Sequence, residues 1–177
     1  MAAALLRYAG VWGKKMSEIT ELLERFRRGP ELIATIMTGA AGPELDFTPG
    51  PEKWSLRQIV AHLADSEIVA ADRFRRIIAE NNPTLIGYDQ DAWARNLNYA
   101  RRKTSESIET FRRLRGENYD LLKELSPEAF ERTGTHSERG PVTLRQQLET
   151  MAAHAEAHAR QIRDVRDAYK RSRQAHA

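Results

Sequence analysis

The sequence contains no cysteine. That excludes a disulfide framework, a thiolate metal site and a protein thiol nucleophile, so any metal must be held by imidazole nitrogen and oxygen. No apolar run approaches the ~20 residues of a membrane-spanning helix, and no stretch of apolar–polar alternation marks a long strand. An excess of one charge is also missing. The 28 Lys and Arg are offset by 25 Asp and Glu, leaving a net charge of +3 and a pI of about 9.3. Cations and anions are interleaved, which reads as a solvated helical surface rather than a nucleic-acid face. The start, MAAALLRYAGVWGKKM, has Arg7 inside its apolar part and no cleavage site, so it does not read as a signal peptide. Residues 1–16 are expected to be a disordered extension ahead of a helix capped by Ser17, and a cytoplasmic location is expected.

At 177 residues the chain is long enough for one domain with a full core. Helical periodicity starts at Ser17, is interrupted at Gly29-Pro30, and continues to about Gly39, with Pro30 suited to a first helical turn. AAGPELDFTPGPEK, residues 40–53, reads as a loop. In the next stretch, WSLRQI, Ser55 and Gln58 form a capping box and Trp54 can staple onto Ile59. That helix carries Leu56, Ile59, Val60, Leu63, Phe74 and Ile77 to about Glu80. Residues 81–103 are a long connection with a short helix near Trp93, and a third main helix spans about Thr104 to Leu125. A second loop, with a short extended piece, leads to Thr143 and Gln146, which repeat the capping box and open the last helix. The expectation is an all-α four-helix bundle over residues 17–172, with a crossover between the second and third main helices and a basic tail at 173–177.

The last helix contains HAEAH. His154 and His158 stand at i and i+4, so their side chains share one face, at the rim of the stripe made by Leu144, Met151 and Ile162. Gln161 falls on the same edge. Glu156 is two positions after His154, about 200° round the helix, so this is not the H-E-x-x-H motif of zinc proteases, and Glu156 is expected at the surface. A two-histidine pair alone is more often incidental than metal-binding; a third ligand changes that. His62, on the second helix, and His136, in the second loop, are both open to that role, while His176 lies in the tail. Three imidazoles would suit Zn²⁺ or Ni²⁺, with Fe²⁺ and Mn²⁺ less favoured without a carboxylate. Histidine's ordinary pKa of about 6.5 implies that metal affinity falls steeply below pH about 6. Glu67 falls near the middle of an apolar stripe, where a carboxylate is costly unless partnered. It either orients a histidine ring or reaches solvent. Asn118, central on the third helix's apolar face, reads as a core hydrogen bond.

WSLRQIVAHLADSE, followed by GPVTLRQQLETMAAHAEAHARQI, resembles the DinB/YfiT-like superfamily. The resemblance covers most of residues 17–170. It implies a four-helix bundle, often dimeric, with a divalent metal in a cleft held by the positions of His62, His154 and His158. It also implies metal-dependent hydrolysis, or transfer of a low-molecular-weight thiol cosubstrate, on a small-molecule substrate. The expectation is therefore a zinc or nickel enzyme acting as a homodimer. The rival classes are a non-catalytic metal- or ligand-binding module and, suggested by RRK at 101–103, a nucleic-acid-binding protein.

Overall fold

The computed structural model describes residues 16–175. The expected extension, apart from Met16, and His176 lie outside the described residues. Met16 is itself helical, and its carbonyl accepts from Thr20 Oγ1 at 2.9 Å. Ser17 is therefore inside the first helix and is not its cap.

Helix α1 has its described part at 16–27, and α2 spans Gly29–Met37. The break between them has a specific cause. Pro30 has no N–H to offer the carbonyl four residues back, and that carbonyl, on Phe26, instead accepts from Arg115 Nη1 at 3.1 Å. Gly29 leaves the necessary space: a Cβ there would stand 2.9 Å from Arg115 Nη1 and 3.1 Å from the Ala155 Cβ.

Helix α3 spans Leu56–Ala79 and starts as the sequence predicts. Ser55 accepts from the Gln58 N–H, and the Gln58 side chain accepts from the Ser55 N–H. Replacing Ser55 by alanine is expected to cost about 1 kcal/mol. Thermal unfolding should register this as a fall of roughly 2–4 °C in Tm.

Beyond α3 the chain runs through β1 (Thr84–Leu85), α4 (Gln90–Asn96) and a short 3-10 turn at Tyr99–Arg101 into α5 (Thr104–Lys123). This is the expected crossover. Leu63 shares a cluster with Phe111, Glu67 bonds to Arg115, and Phe74 shares a cluster with Leu122, so α3 and α5 lie side by side and parallel. The connection must then return along the bundle. Buried Asp65 anchors it, accepting from Tyr99 Oη at 2.8 Å and Arg102 Nη1 at 2.6 Å.

The last helix, α6, spans Leu144–Gln174, so the expected tail at 173–177 is helical through Gln174. Ion pairs Glu18–Arg145, Arg25–Glu156 and Glu44–Arg166 progress in the same sense, which sets α1–α2 parallel to α6.

A small sheet closes one end. Here β2 (Thr133–His136) pairs parallel with β1 and antiparallel with β3 (Gly140–Thr143). Strands of two to four residues are too short for alternation to show in a sequence. Leu85 of the sheet and Phe130 of the 3-10 turn Pro127–Glu131 that precedes β2 seal the core. Arg132 serves the end of α3, donating to the carbonyls of Ile77 and Glu80 at 2.8 Å each.

Two apolar layers fill the bundle. One gathers Ile19, Leu22, Phe26, Phe74, Ile77 and Leu148; the other gathers Ile33, Leu56, Ile59, Leu63, Phe111 and Ile162. Between Leu63 and Ala70 on α3, and between Phe111 and Leu122 on α5, the interior turns polar: Glu67, Arg115 and Asn118 are all buried there.

Candidate metal centre

His62 projects from α3 and is 1% exposed; His154 and His158 project from α6 and are half-buried. Their rings meet although His62 and His154 are 92 residues apart in sequence. The Nε2 of His154 lies 3.1 Å from that of His62 and 3.0 Å from that of His158. Among the described residues these three form a cluster able to hold a metal ion. Trp54, the residue before the Ser55 cap, packs on the His62 ring with centroids 4.9 Å apart.

Proton positions follow from Gln161. Its Oε1 is 2.7 Å from His158 Nδ1. An amide oxygen only accepts, so the proton sits on Nδ1 and the Nε2 lone pair of His158 faces the other rings. Both short contacts are centred on His154 Nε2, and a single proton there can serve only one of them. A cation serves all three. Metal–nitrogen bonds of about 2.0–2.1 Å at angles of about 90–110° place their nitrogens roughly 2.8–3.4 Å apart. The observed separations fit.

Burial keeps the rings neutral. Desolvation, with the neighbouring His158 charge second, holds His62 down at about 3. Desolvation, then His158, His62 and Arg115, holds His154 down at about 2. His158 is lowered by burial too, against an opposing pull from Gln161. Neutral imidazole is the form that ligates a metal.

Among the described residues Gln161 is the only hydrogen-bond partner of an outer nitrogen on any of the three rings, the buried Nδ1 atoms of His62 and His154 having none. Replacing Gln161 by leucine is expected to weaken metal affinity roughly 10- to 100-fold with little change in fold. A competition titration against a chromophoric chelator measures this.

Elsewhere the structure sorts the other candidates. His136 is in β2, where its Nδ1 accepts from the Glu138 N–H at 3.2 Å, and it is outside the cluster. Glu156 pairs with Arg25 at 3.0 Å at the periphery. Asn118 is the core hydrogen bond expected, donating to Glu67 and accepting from Arg75.

Glu67 requires a correction. It is fully buried, but it orients no histidine. One carboxylate oxygen accepts from Arg115 Nε and Nη2 at 2.9 and 2.7 Å, and the other accepts from Asn118 Nδ2 at 2.9 Å. Arg115, absent from the sequence reading, is the centre of this network. Its guanidinium lies 4.0 Å from the Phe26 ring centroid and 4.8 Å from that of Phe111, and also reaches the Met151 carbonyl, three residues before His154. The signal was present in the spacing: Phe111, Arg115, Asn118 and Leu122 recur at i, i+4, i+7 and i+11, so a cation sits within the apolar face.

The histidines open to the surface on the His158 side. A cavity of about 220 Å³ is lined there by Lys53, Trp54, Gln90, Asp91, His158 and Gln161. It adjoins a groove of about 630 Å³ that shares Lys53, Trp54 and Asp91 and continues along α4 to Arg95 and Asn98. The crossover therefore builds one wall of the approach.

Known proteins resemble this chain in sequence and in fold. A protein of Oceanobacillus iheyensis is 29% identical over 81% of this chain and 83% of its own length. One from Bacillus mycoides is 30% identical over 78% of this chain and 79% of its own. Both carry the name "putative metal-dependent hydrolase". The solved structure of YfiT from Bacillus subtilis, described as a four-helix bundle of unusual topology, matches the fold with a TM-score of 0.78 at 24% identity, over 82% of this chain and 84% of that one. The family model of the DinB superfamily matches residues 25–162, and the chain belongs to that superfamily.

Proposed function

We propose that the protein is a divalent-metal-dependent enzyme acting on a small molecule, with His62, His154 and His158 as the metal ligands. The observation that carries this reading is the convergence of three neutral Nε2 atoms beside an open groove. A metal held only for structure is normally enclosed by four protein ligands; here three histidines gather among the described residues and the site has a mouth. The ion, when bound, supplies a Lewis acid that makes a water or a thiol nucleophilic near neutral pH. Zinc or nickel suits the all-imidazole donor set best.

The chain's own residues do the rest. Gln161 fixes the His158 tautomer, and Trp54 fixes the His62 ring and excludes water from that side. Lys53, Asp91 and Arg95 present charges of both signs along the approach, suited to orienting a polar substrate. Hydrolysis is the leading reading, in keeping with the relatives' names; transfer of a low-molecular-weight thiol is the second. The patch behind the nucleic-acid reading is partly engaged within the chain, Arg102 with Asp65 and Lys103 with Glu106.

Elemental analysis after purification without a metal-chelating tag tests the first step, with about one zinc or nickel per chain expected. Turnover of ester and amide panels is then measured with and without added thiol. Activity without thiol supports hydrolysis, and strict dependence on thiol supports transfer. Metal bound equally well after replacement of all three histidines rejects the site.

A further inference from the structure

Arg73 is 8% exposed, yet among the described residues it makes no ion pair. Its Nη2 donates to the Ile86 carbonyl at 2.7 Å, and its buried Nε has no hydrogen-bond partner among the described residues. A buried guanidinium without an anion is costly, and removing its desolvation cost requires a paired negative charge. Burial already holds it below the usual arginine range. Of the nearby carboxylates, Asp72 is taken by Arg76 at 2.8 Å, and Glu138, whose carboxylate lies against Gly87, attracts Arg73 only from beyond ion-pair distance.

Arg73 lines a groove of about 480 Å³ whose other walls include Ile68, Val69, Ile86, Tyr88 and Trp93 together with the paired Asp72 and Arg76. That volume is in the range of small-molecule sites. Ile86 is 75% and Ile68 50% exposed, so the lip is apolar. The Tyr88 and Trp93 rings pack with centroids 4.4 Å apart. Eleven residues of α3 separate Arg73 from His62, roughly 16 Å at 1.5 Å per residue, so the groove is separate from the histidine site. One unpaired cation among mainly apolar walls, where the other two charges, Asp72 and Arg76, neutralise one another, is complementary to a single anionic group on an apolar body.

We propose that this groove is a second ligand site for a small monocarboxylate with an apolar body, the carboxylate pairing with Arg73. The assignment does not depend on the metal reading. Neither a bare anion, which gains nothing from Ile68 and Ile86, nor an uncharged amphiphile, which leaves the guanidinium unpaired, should fill it.

Isothermal titration of the full chain with octanoate, octanol and inorganic phosphate, each with and without one equivalent of Zn²⁺, tests the proposal. Octanoate is expected to bind saturably, with octanol and phosphate at least about tenfold weaker, as loss of a charge-assisted pair implies. Arg73→Gln should lower octanoate affinity by about tenfold or more, with Arg73→Lys restoring part of it. Because the Arg73 contact to Ile86 also holds the connection, Ile86→Glu provides a second variant. Its exposed position spares the fold, and its charge at the lip should repel the ligand and weaken binding. Equal binding of octanol, or octanoate affinity that requires Zn²⁺ and ignores Arg73→Gln and Ile86→Glu, overturns the proposal. So does an absence of octanoate binding together with a self-association that Ile86→Glu abolishes, which would assign the groove to a second copy of the chain.

Discussion

Metal binding is expected to be lost almost entirely when His154 is replaced by alanine. Both short nitrogen contacts in the cluster are centred on His154 Nε2, so this substitution removes the ligand that links α3 to its neighbour on α6. The loss should well exceed the roughly 100-fold upper range for removing an outer partner of a metal ligand. Fold and secondary structure should survive, because His154 sits at the rim and not in either apolar layer. Competitive metal titration, with circular dichroism as the control, measures both. Unchanged affinity would make HAEAH incidental.

The pH dependence of the same titration differs from what free histidine would give. With His62 held at about 3 and His154 at about 2, protons do not compete for these two rings inside the folded protein at pH 5–6, and burial lowers His158 as well. The unfolded chain, however, takes up protons on these residues below about pH 6.5. A folded pKa below the unfolded value means that the unfolded state binds more protons across that interval. Stability therefore falls as pH drops from about 6.5 toward 3. Metal loss on mild acidification should consequently follow unfolding. Coincident midpoints for metal release and loss of ellipticity are the expected result, and metal release from a fully folded chain at pH 6 would contradict it.

The second large effect is expected at Arg115. Replacing it by methionine strands Glu67 in the interior with Asn118 as its remaining partner and leaves the Phe26 carbonyl, already without Pro30 as donor, unsatisfied. Removing one partner of a buried pair costs about 3–5 kcal/mol, a fall in Tm of about 10 °C for a domain of this size. Glu67→Gln should act in the same direction, leaving a buried guanidinium without its anion. Its effect is expected on stability, with metal affinity in the folded fraction nearly unchanged, because Glu67 touches no histidine. The double variant Glu67→Leu with Arg115→Met should recover much of the loss, since an apolar replacement removes both desolvation costs. Thermal melts of the wild type, Glu67→Leu, Arg115→Met and the double variant give the coupling energy.

What the sequence determined by itself was local. The capping boxes at Ser55 and Thr143 marked the starts of α3 and α6, the apolar stripes marked their buried faces, and the i, i+4 spacing put His154 and His158 on one rim. Each of these depends on a period of 3.6 residues or on a side chain reaching its own backbone, which a few consecutive residues suffice to specify. The length of 81–103 likewise allowed the crossover. Residue patterns alone left His62 and His136 both open as the third ligand; resemblance to the DinB superfamily favoured His62, and the packing of α3 against α6 brings that ring to the pair. The partner of Glu67 belonged to tertiary structure altogether. A carboxylate on an apolar face requires some partner, but whether it is an imidazole or a guanidinium depends on which helix lies alongside. The parallel placement of α5 supplied Arg115. The three short strands were settled the same way, because hydrogen bonds between distant segments leave no periodic trace in segments of two to four residues.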